Sequence, residues 1–479
     1  MIYDSSFENR NTDFFSTLDN SDQVLPASRL ERMFGKSSSE WTSDDLIEFV
    51  REKKIRLVSL MHIGGDGWLK NLDFVPRDFM HLRDIILGGE RADGSSLFGM
   101  MGIPTGKSDI VLRPKVETAF LNPFSPVPTL ALLCSHYGQD GKPLPESPET
   151  ILHNAFDRVK KVTGAELQAL GEVEYFLGKK PNEGDVYGAT DRGYHATSPF
   201  VFGEALRREA MVILADMGLP VKYSHSEVGY IEATEKDNTI WEQHEIELAL
   251  TPLPKAAEAV ELSMWVLRNL AHRKGMSCSF DPILRKGHAG SGMHFHMSPV
   301  IDGVHRGGVD ENGVPDDPAK WLIAGLSHVG GALMAFGNRD ESSFVRLTQG
   351  KEAPNKVTWG MFNRKALIRL PIVATDATGR AVSPPTVEFR LPDGAAHPHL
   401  LLAGIAQGMI AGYNIKNIDE RLKATSAAEA EKKAPDDIAG VPKNFKEVAS
   451  ELKKRREMIE EGGVFPKHVI DRVIENLEK

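Results

Sequence analysis

Cysteine is almost absent: Cys134 and Cys278 are the only two in 479 residues. A disulfide framework and a cysteine-ligated zinc site are therefore both unavailable. A basic excess is missing as well. With 67 acids against 57 bases the formal net charge is −10, which leaves no electrostatic footprint for nucleic acid, although a local basic cluster can still bind phosphate. No uninterrupted apolar run reaches membrane-spanning length, and the polar, acidic stretch Met1 to Asn20 resembles no secretory signal. A soluble, cytoplasmic protein is the expectation, with neither membrane nor nucleic acid among its partners. No Gly-x-x-x-x-Gly-Lys-Ser/Thr loop occurs, so a P-loop nucleotide site is disfavoured. Internal repeats and low-complexity tracts are also lacking.

What is present is an ordinary globular composition. At 41% hydrophobic and 26% charged, the chain can build a sizeable core, and its length allows two or three domains. Residues 1–40 are rich in Ser, Asn and Asp and read as an arm. Helical spacing follows over Ser43–Lys53, then strands over Ile55–Met61 and Leu69–Val75, joined by the turn Gly64-Gly65-Asp66-Gly67. Asp93-Gly94-Ser95-Ser96 reads as another turn, and Ser108–Leu112 and Thr129–Cys134 as further strands. Turn formers cluster at Asp140-Gly141-Lys142-Pro143, where a boundary is placed. Beyond it, helices are expected over Pro148–Gly164, Pro199–Met217, Lys255–Lys274 and Pro318–Ala335. Strands are expected over Glu166–Leu177, Pro220–Tyr230, Gln243–Leu250 and Thr386–Leu391, with residues 231–242 as a polar interruption. The last 65 or so residues are Lys/Glu-rich and helical, with Ala434–Val441 as a linker.

The chemistry lies in strands whose polar residues recur every second position. Glu172 and Glu174, Glu245 and Glu247, His294 and His296, and Glu388 and Arg390 are each two apart, so each pair shares one strand face. Glu227 stands alone in mid-strand. Any one such pair fits a solvated face. Were the strands to share a sheet, their charged faces would converge, and clustered carboxylates repel unless cations compensate. A set of oxygens with one or two imidazoles suits magnesium or manganese better than zinc or copper. His294 and His296 sit in Gly290-Ser291-Gly292-Met293-His294-Phe295-His296-Met297-Ser298, whose glycines let the backbone approach a ligand closely. Metal ligation, phosphate donation and hydrogen bonding in the core all remain open for these imidazoles. Arg346, Arg364, Arg369 and Arg390 add planar forks that match carboxylates and phosphates. Metals and arginines in one cleft describe phosphoryl chemistry on an acidic small molecule.

Taken together these stretches resemble the glutamine synthetase family, type I-like but divergent, over about residues 40–415. Gly290 to Ser298 looks like its ATP-binding signature. Val345-Arg346-Leu347, Glu352-Ala353-Pro354, Trp359-Gly360, Asn363-Arg364, Ile368-Arg369 and Val387 to Asp393 follow in matching order and spacing. Ala92 to Ser96 and Ser108-Asp109 look like turns of its N-terminal domain. The resemblance implies an α+β fold: a small β-grasp-like domain over 41–142, then a catalytic domain over 143–479. The latter would hold a curved antiparallel half-barrel sheet flanked by helices and would end in a helical tail.

It also implies roles. Glu174, Glu227 and Glu245 would hold one Mg2+ or Mn2+, and Glu172, His294 and Glu388 a second. Arg346 and Arg390 would grip glutamate beside the Gly290 backbone. Arg364 and Arg369 would neutralise phosphate, with His296 beside them and Ser298 near the adenine of ATP. Tyr194 would line the ammonium pocket, Asp66 would take part in stripping its proton, and Glu352 would close the site. The implied activity is ATP-dependent amidation of L-glutamate by ammonia through γ-glutamyl phosphate, a step of glutamine biosynthesis in nitrogen metabolism. The implied assembly is a homododecamer of two hexameric rings, with Asp66 acting across a subunit boundary.

The sequence departs from that pattern in places. Ala289 stands where an asparagine usually precedes the signature glycine, Asp66 is displaced two places within its turn, and Thr386 replaces an arginine. The interruption at 231–242 leaves Glu232, Glu235 and Glu242 as alternatives to Glu245. No tyrosine lies between Tyr413 and Pro442, so adenylylation of a tyrosine there is not expected. The changes at Ala289 and Gly64 keep a second reading open, a γ-glutamyl ligase for methylamine, ethanolamine or a polyamine. A third, an inactive structural or regulatory homologue, predicts eroded ligands, whereas all six are present.

Overall fold

The computed structural model describes residues 28–182, 190–349, 351, 353–434 and 437–479, apart from the side chain of Lys107. The first sheet is mixed and six-stranded. Its strands are β1 (Leu57–Ile63), β2 (Leu69–Phe74), β3 (Glu90–Asp93), β4 (Asp109–Pro114), β5 (Phe120–Leu121) and β6 (Thr129–Tyr137). The order is β2-β1-β6-β4-β3, with β5 on β6. β1 and β6 run parallel at the centre, where Val58, Leu60, Leu130 and Leu132 are fully buried. The helix Ser43–Glu52 covers this sheet with Leu46, Ile47, Phe49 and Val50. Thr42 caps it, and the hydrogen bonds of Lys36 and Thr42 hold the Asp45 carboxyl down to about 2, as a reciprocal capping box requires.

Two expectations change here. Asp93 opens a short helix, Gly94–Phe98, instead of a simple turn, because its carboxylate accepts the Ser95 amide as an N-cap. The end of the expected arm is also structured: Ser28 caps a helix over Arg29–Phe34, whose Leu30 is buried in the small core.

The second sheet has ten strands. They are β7 (Glu166–Lys179), β8 (Val221–Ile231), β9 (Ile240–Leu248), β10 (Thr251–Pro252), β11 (Ser277–Ser279), β12 (Phe295–Ile301), β13 (Val304–His305), β14 (Trp359–Met361), β15 (Ile368–Leu370) and β16 (Val387–Phe389). The main path is β14-β15-β16-β12-β7-β9-β8. Every pairing is antiparallel except β14 with β15. The polar interruption is shorter than expected, since β9 begins at Ile240. The helix expected from Pro199 begins only at Glu204, and the strand expected over Thr386–Leu391 pairs only over Val387–Phe389.

The two faces of β7 explain the sheet. Leu167, Ala169, Val173, Tyr175 and Leu177 point one way and are fully buried, packing with α1 (Pro148–Thr163) and α2 (Leu253–Arg273) in the main core. Gln168, Leu170, Glu172 and Glu174 point the other way and line a cavity. Further helices, α3 (Asp317–Gly337), α4 (Glu341–Thr348) and α5 (Pro398–Tyr413), complete the core layer. α3 is long and apolar enough by composition to cross a membrane, yet most of it is buried inside the protein as a core helix.

Small residues let α3 and α5 touch backbone to backbone. A Cβ on Gly325 would lie 1.8 Å from the Gly408 carbonyl oxygen, and one on Gly412 would lie 1.9 Å from that of Trp321. Replacing a mid-helix glycine by alanine ordinarily stabilises by about 1 kcal/mol, but here rigid backbone must move and overpacking costs about 1–3 kcal/mol or more. Gly325→Ala is therefore expected to lower the thermal unfolding midpoint. Gly404→Ala, whose Cβ meets the side chains of Leu333 and Phe336 and not a backbone atom among its nearest contacts, should be better tolerated. A raised midpoint in Gly325→Ala would contradict the close helix contact.

Candidate active site

The polar face of the large sheet and the segments above it enclose a cavity of about 650 Å³. Register brings the period-two pairs together. Glu172 lies opposite Glu247, Glu174 and His225 opposite Glu245, and His296 opposite Glu388. The strands thus converge their charged faces as the spacing predicts.

Hydrogen bonds fix most of these groups. Glu172 accepts from His294 Nδ1 at 2.7 Å and from His296 Nε2 at 2.9 Å. Glu174 accepts from the Gly292 amide at 2.8 Å and from Gln243 Nε2 at 3.1 Å. That same Gln243 amide reaches the Gly290 carbonyl at 3.0 Å, so one buried side chain ties β9 to both β7 and the glycine-rich segment. Glu388 receives Arg369 at 2.7 Å and Arg390 at 2.5 Å. Arg346, on α4, donates to the Leu391 carbonyl at 3.1 Å and lies 3.3 Å from His294 Nε2.

The electrostatics divide the cleft. Burial is the largest influence on Glu172 and Glu388 and acts to raise both, but His296 and His294 together, joined at Glu388 by Arg390, outweigh it. Both carboxyls lie below the ordinary range. Burial likewise opposes the charge on His296, yet Glu172 and Glu388 raise it. Glu245 goes the other way. Burial raises it well above the usual range, and Glu172, Glu174, Glu227 and Glu247 push in the same direction. A carboxyl that must ionise beside four others needs positive charge brought in.

Ligand atoms of His225, Glu227 and Glu245 lie within 4.8 Å of one another, as do those of Glu172, Glu174 and His294, and those of Glu172, His296 and Glu388. Carboxylate oxygens with a minority of imidazole nitrogens form a donor set that fits magnesium or manganese. The grouping differs from the expected one. His225 stands with Glu227 and Glu245 where Glu174 was expected, because Glu174 is drawn toward Gly292 and Gln243. His296 joins Glu172 and Glu388 because both histidines bridge onto Glu172.

Other expected residues are placed with mixed results. Tyr194, Gly290, Arg346, Arg364, Arg369 and Arg390 all line the cavity. Ser298 does not: it is fully buried, and its hydroxyl contacts His305 Nδ1 at 3.0 Å and the Arg306 carbonyl at 3.1 Å. The cavity-lining residue there is His305. Asp66 is not carried to this cavity by its own chain. Its carboxylate pairs with Lys70 at 2.7 Å, and its carbonyl accepts from Arg339. Glu352 lies outside the described residues. Among the alternatives to Glu245, Glu242 turns away and accepts the Phe202 amide at 2.9 Å and His244 at 2.7 Å.

The sequence reading missed His225, Gln243 and His305. His225 was findable, since it stands two residues before Glu227 in the same polar period. Gln243 precedes Glu245 by the same interval. Thr386 lines the cavity and meets His296 Nδ1 at 3.0 Å, so the replacement of arginine leaves a hydroxyl that orients the ring.

Removal of Glu245 should weaken divalent-ion binding. Titration with Mn2+, followed by the resonance of the free ion, is expected to show at least ~10-fold lower affinity at one site in Glu245→Ala. Unchanged affinity and stoichiometry would remove Glu245 from the site.

Comparison with known proteins agrees with this geometry. Residues 145–479 match the family model described as glutamine synthetase, catalytic domain. The glutamine synthetase of Methanococcus maripaludis is 27% identical over 451 residues, covering 90% of this chain and 94% of that protein. That of Escherichia coli K12 is 29% identical over 428 residues, covering 81% and 85%. Among solved structures, the glutamine synthetase of Plasmodium falciparum superposes with a TM-score of 0.76 at 19% identity, covering 92% of this chain and 96% of that one. Apo GmaS without ligand superposes with a TM-score of 0.71 at 20% identity, covering 90% and 94%. The chain belongs to the glutamine synthetase family and is an ATP-dependent glutamate ligase of that type.

Proposed function

We propose that the protein joins ammonia to the γ-carboxyl of L-glutamate, with ATP as co-substrate, giving glutamine, ADP and phosphate. The observation that carries this reading is the convergence in one cavity of Glu172, Glu174, Glu227, Glu245 and His294 with Arg346, Arg364, Arg369 and Arg390, the last two held by the fully buried Glu388 behind them. A free carboxylate is a poor electrophile and must first be activated. Its oxygen attacks the γ-phosphorus of ATP, the bond to ADP breaks, and γ-glutamyl phosphate forms. Ammonium gives up one proton, the ammonia nitrogen attacks the acyl carbon, and as the carbon–oxygen bond to phosphate breaks the nitrogen loses a second proton, carried off by the leaving phosphate.

The acidic cluster would hold divalent ions that neutralise phosphate charge when bound. Glu174, Glu227 and Glu245 would serve one ion, with His225 added on geometric grounds, and Glu172, His294 and Glu388 a second. Arg346 and Arg390 would orient glutamate, while Arg364 and Arg369 stabilise charge on the transferred phosphoryl group. His296, braced by Thr386, would stand beside the phosphates. Tyr194 would border the acceptor pocket. Water must be kept from the acyl phosphate, and Glu352 would close the site over it. We also propose the division into a small domain over 41–142 and a catalytic domain over 143–479, and a dodecamer whose neighbouring subunit delivers Asp66 to the acceptor pocket.

A second reading has specific support. Ala289 lines the cavity next to Gly290 and leaves open space where an asparagine would project, and the fold superposes on GmaS as well as on a glutamine synthetase. An organic amine such as methylamine, ethanolamine or a polyamine would then be the acceptor. ADP release by the purified protein with glutamate, Mg2+ and a panel of amines separates the two. Ammonia is expected to give the highest kcat/KM. Turnover with alkylamines or polyamines but not with ammonia would overturn the first reading in favour of the second.

A further inference from the structure

A second cluster of ligand-type side chains lies apart from the cavity, beneath the β1–β2 turn. Glu261 projects from the middle of α2. His397 stands at the N-cap position of α5 without a side-chain cap bond, and His399 sits in its first turn. One ligand atom from each lies within 4.8 Å of the others. All three are buried, at 5%, 0% and 1% exposure, and none lines the cavity.

The histidines stand out by what they do not bind. Neither ring nitrogen of His397 makes a hydrogen bond of good geometry, and the same is true of His399 Nδ1, although these atoms are inaccessible to water. The Gly64 backbone lies close enough to act on the His397 ring, but it does not complete such a bond. The neighbouring buried histidines behave differently. His136 Nε2 meets His62 Nδ1 at 3.1 Å, and its Nδ1 meets Ser147 at 2.9 Å. Buried polar atoms are normally partnered, and those that are not call for an explanation such as an ion.

We propose that Glu261, His397 and His399 form a structural metal site for Zn2+ or a similar borderline cation, distinct from the catalytic cluster. Two imidazole nitrogens and one carboxylate oxygen are ligands that zinc accepts. That chemistry differs from the oxygen-rich cleft, which suits magnesium or manganese. Burial pushes the Glu261 carboxyl up to about 8, against the opposing pull of Arg268 and Arg339, and burial lowers both histidines.

The two nearby guanidinium groups are engaged elsewhere. Arg339 donates to the Asp66 carbonyl at 3.0 Å, and Arg268 lies over the rings of Trp68 and Phe280, 4.9 and 4.6 Å from their centroids.

Occupancy would link α2 and α5 directly below the turn that carries Asp66. The turn already presses on the site: a Cβ at Gly67 would stand 3.2 Å from the His397 ring and 3.2 Å from Arg339. The metal would therefore stiffen the seat of that turn without entering the reaction.

The test uses the full-length protein, stripped with a chelator, dialysed against Zn2+ in excess Mg2+, and analysed for bound zinc. One zinc per chain is expected in the wild type and in Glu245→Ala, and its affinity should fall at least tenfold in Glu261→Gln and in His399→Phe. Co2+ in place of zinc should give visible absorption bands in the wild type and in Glu245→Ala that vanish in Glu261→Gln. Circular dichroism of each metal-free variant establishes folding, and the near-isosteric Glu261→Gln carries the test if His399→Phe does not fold. No zinc retained by the wild type, or equal retention by Glu261→Gln, would overturn the proposal.

Discussion

Like charges held in a small volume govern this molecule. Glu172, Glu174, Glu245, Glu247 and Glu388 are each largely buried on one face of one sheet, with Glu227 beside them. Buried carboxylates repel one another and lose solvation together, so the sheet is tenable only where cations reach them. The protein supplies some itself. Arg369 and Arg390 hold Glu388, Lys222 holds Glu247 at 2.6 Å, and two histidines hold Glu172. The deficit left at Glu245 is what a divalent ion and its phosphate-bearing substrate would meet.

The rest of the fold serves to keep that arrangement rigid. β7 carries the acids on one face and a fully apolar surface on the other, so the core helices α1 and α2 fix the strand from behind. The close crossing of α3 and α5 brings the core layer together. α4, directly after α3, presents Arg346 to the cleft beside His294. Gln243 and the Gly292 amide then set the Glu174 carboxylate by hydrogen bonding, which a strand register alone would leave free to rotate. Such satisfied networks specify one geometry because each missing bond would leave a buried group unpaired.

Much of this was legible in the sequence because β-strands have a period of two. Glu172/Glu174, His294/His296 and Glu388/Arg390 declared a shared polar face before any pairing was known. What the pattern could not express was pairing itself. Nothing local says that His225 sits opposite Glu245, or that both histidines of the glycine-rich segment turn onto Glu172. Ser298 is set back from the cavity lining for a related reason. It continues the same polar face, but the β12–β13 hairpin folds over it and places His305 at the cavity instead. Short strands such as Val387–Phe389 and caps such as Asp93 depend on a few local hydrogen bonds, so their boundaries fell where periodicity is silent. The Glu261, His397 and His399 cluster joins two helices across 136 positions of sequence, a pairing that no local period expresses.

The central claim is that the cleft activates the γ-carboxylate by making an acyl phosphate. Turnover of glutamate labelled with 18O in both γ-carboxylate oxygens, in the presence of ATP, Mg2+ and ammonia, tests it most directly by mass analysis of the phosphate released. One 18O should appear in each inorganic phosphate, carried by the oxygen that bridged carbon and phosphorus, and the other should remain in the amide. Phosphate free of 18O while amide forms would contradict the account.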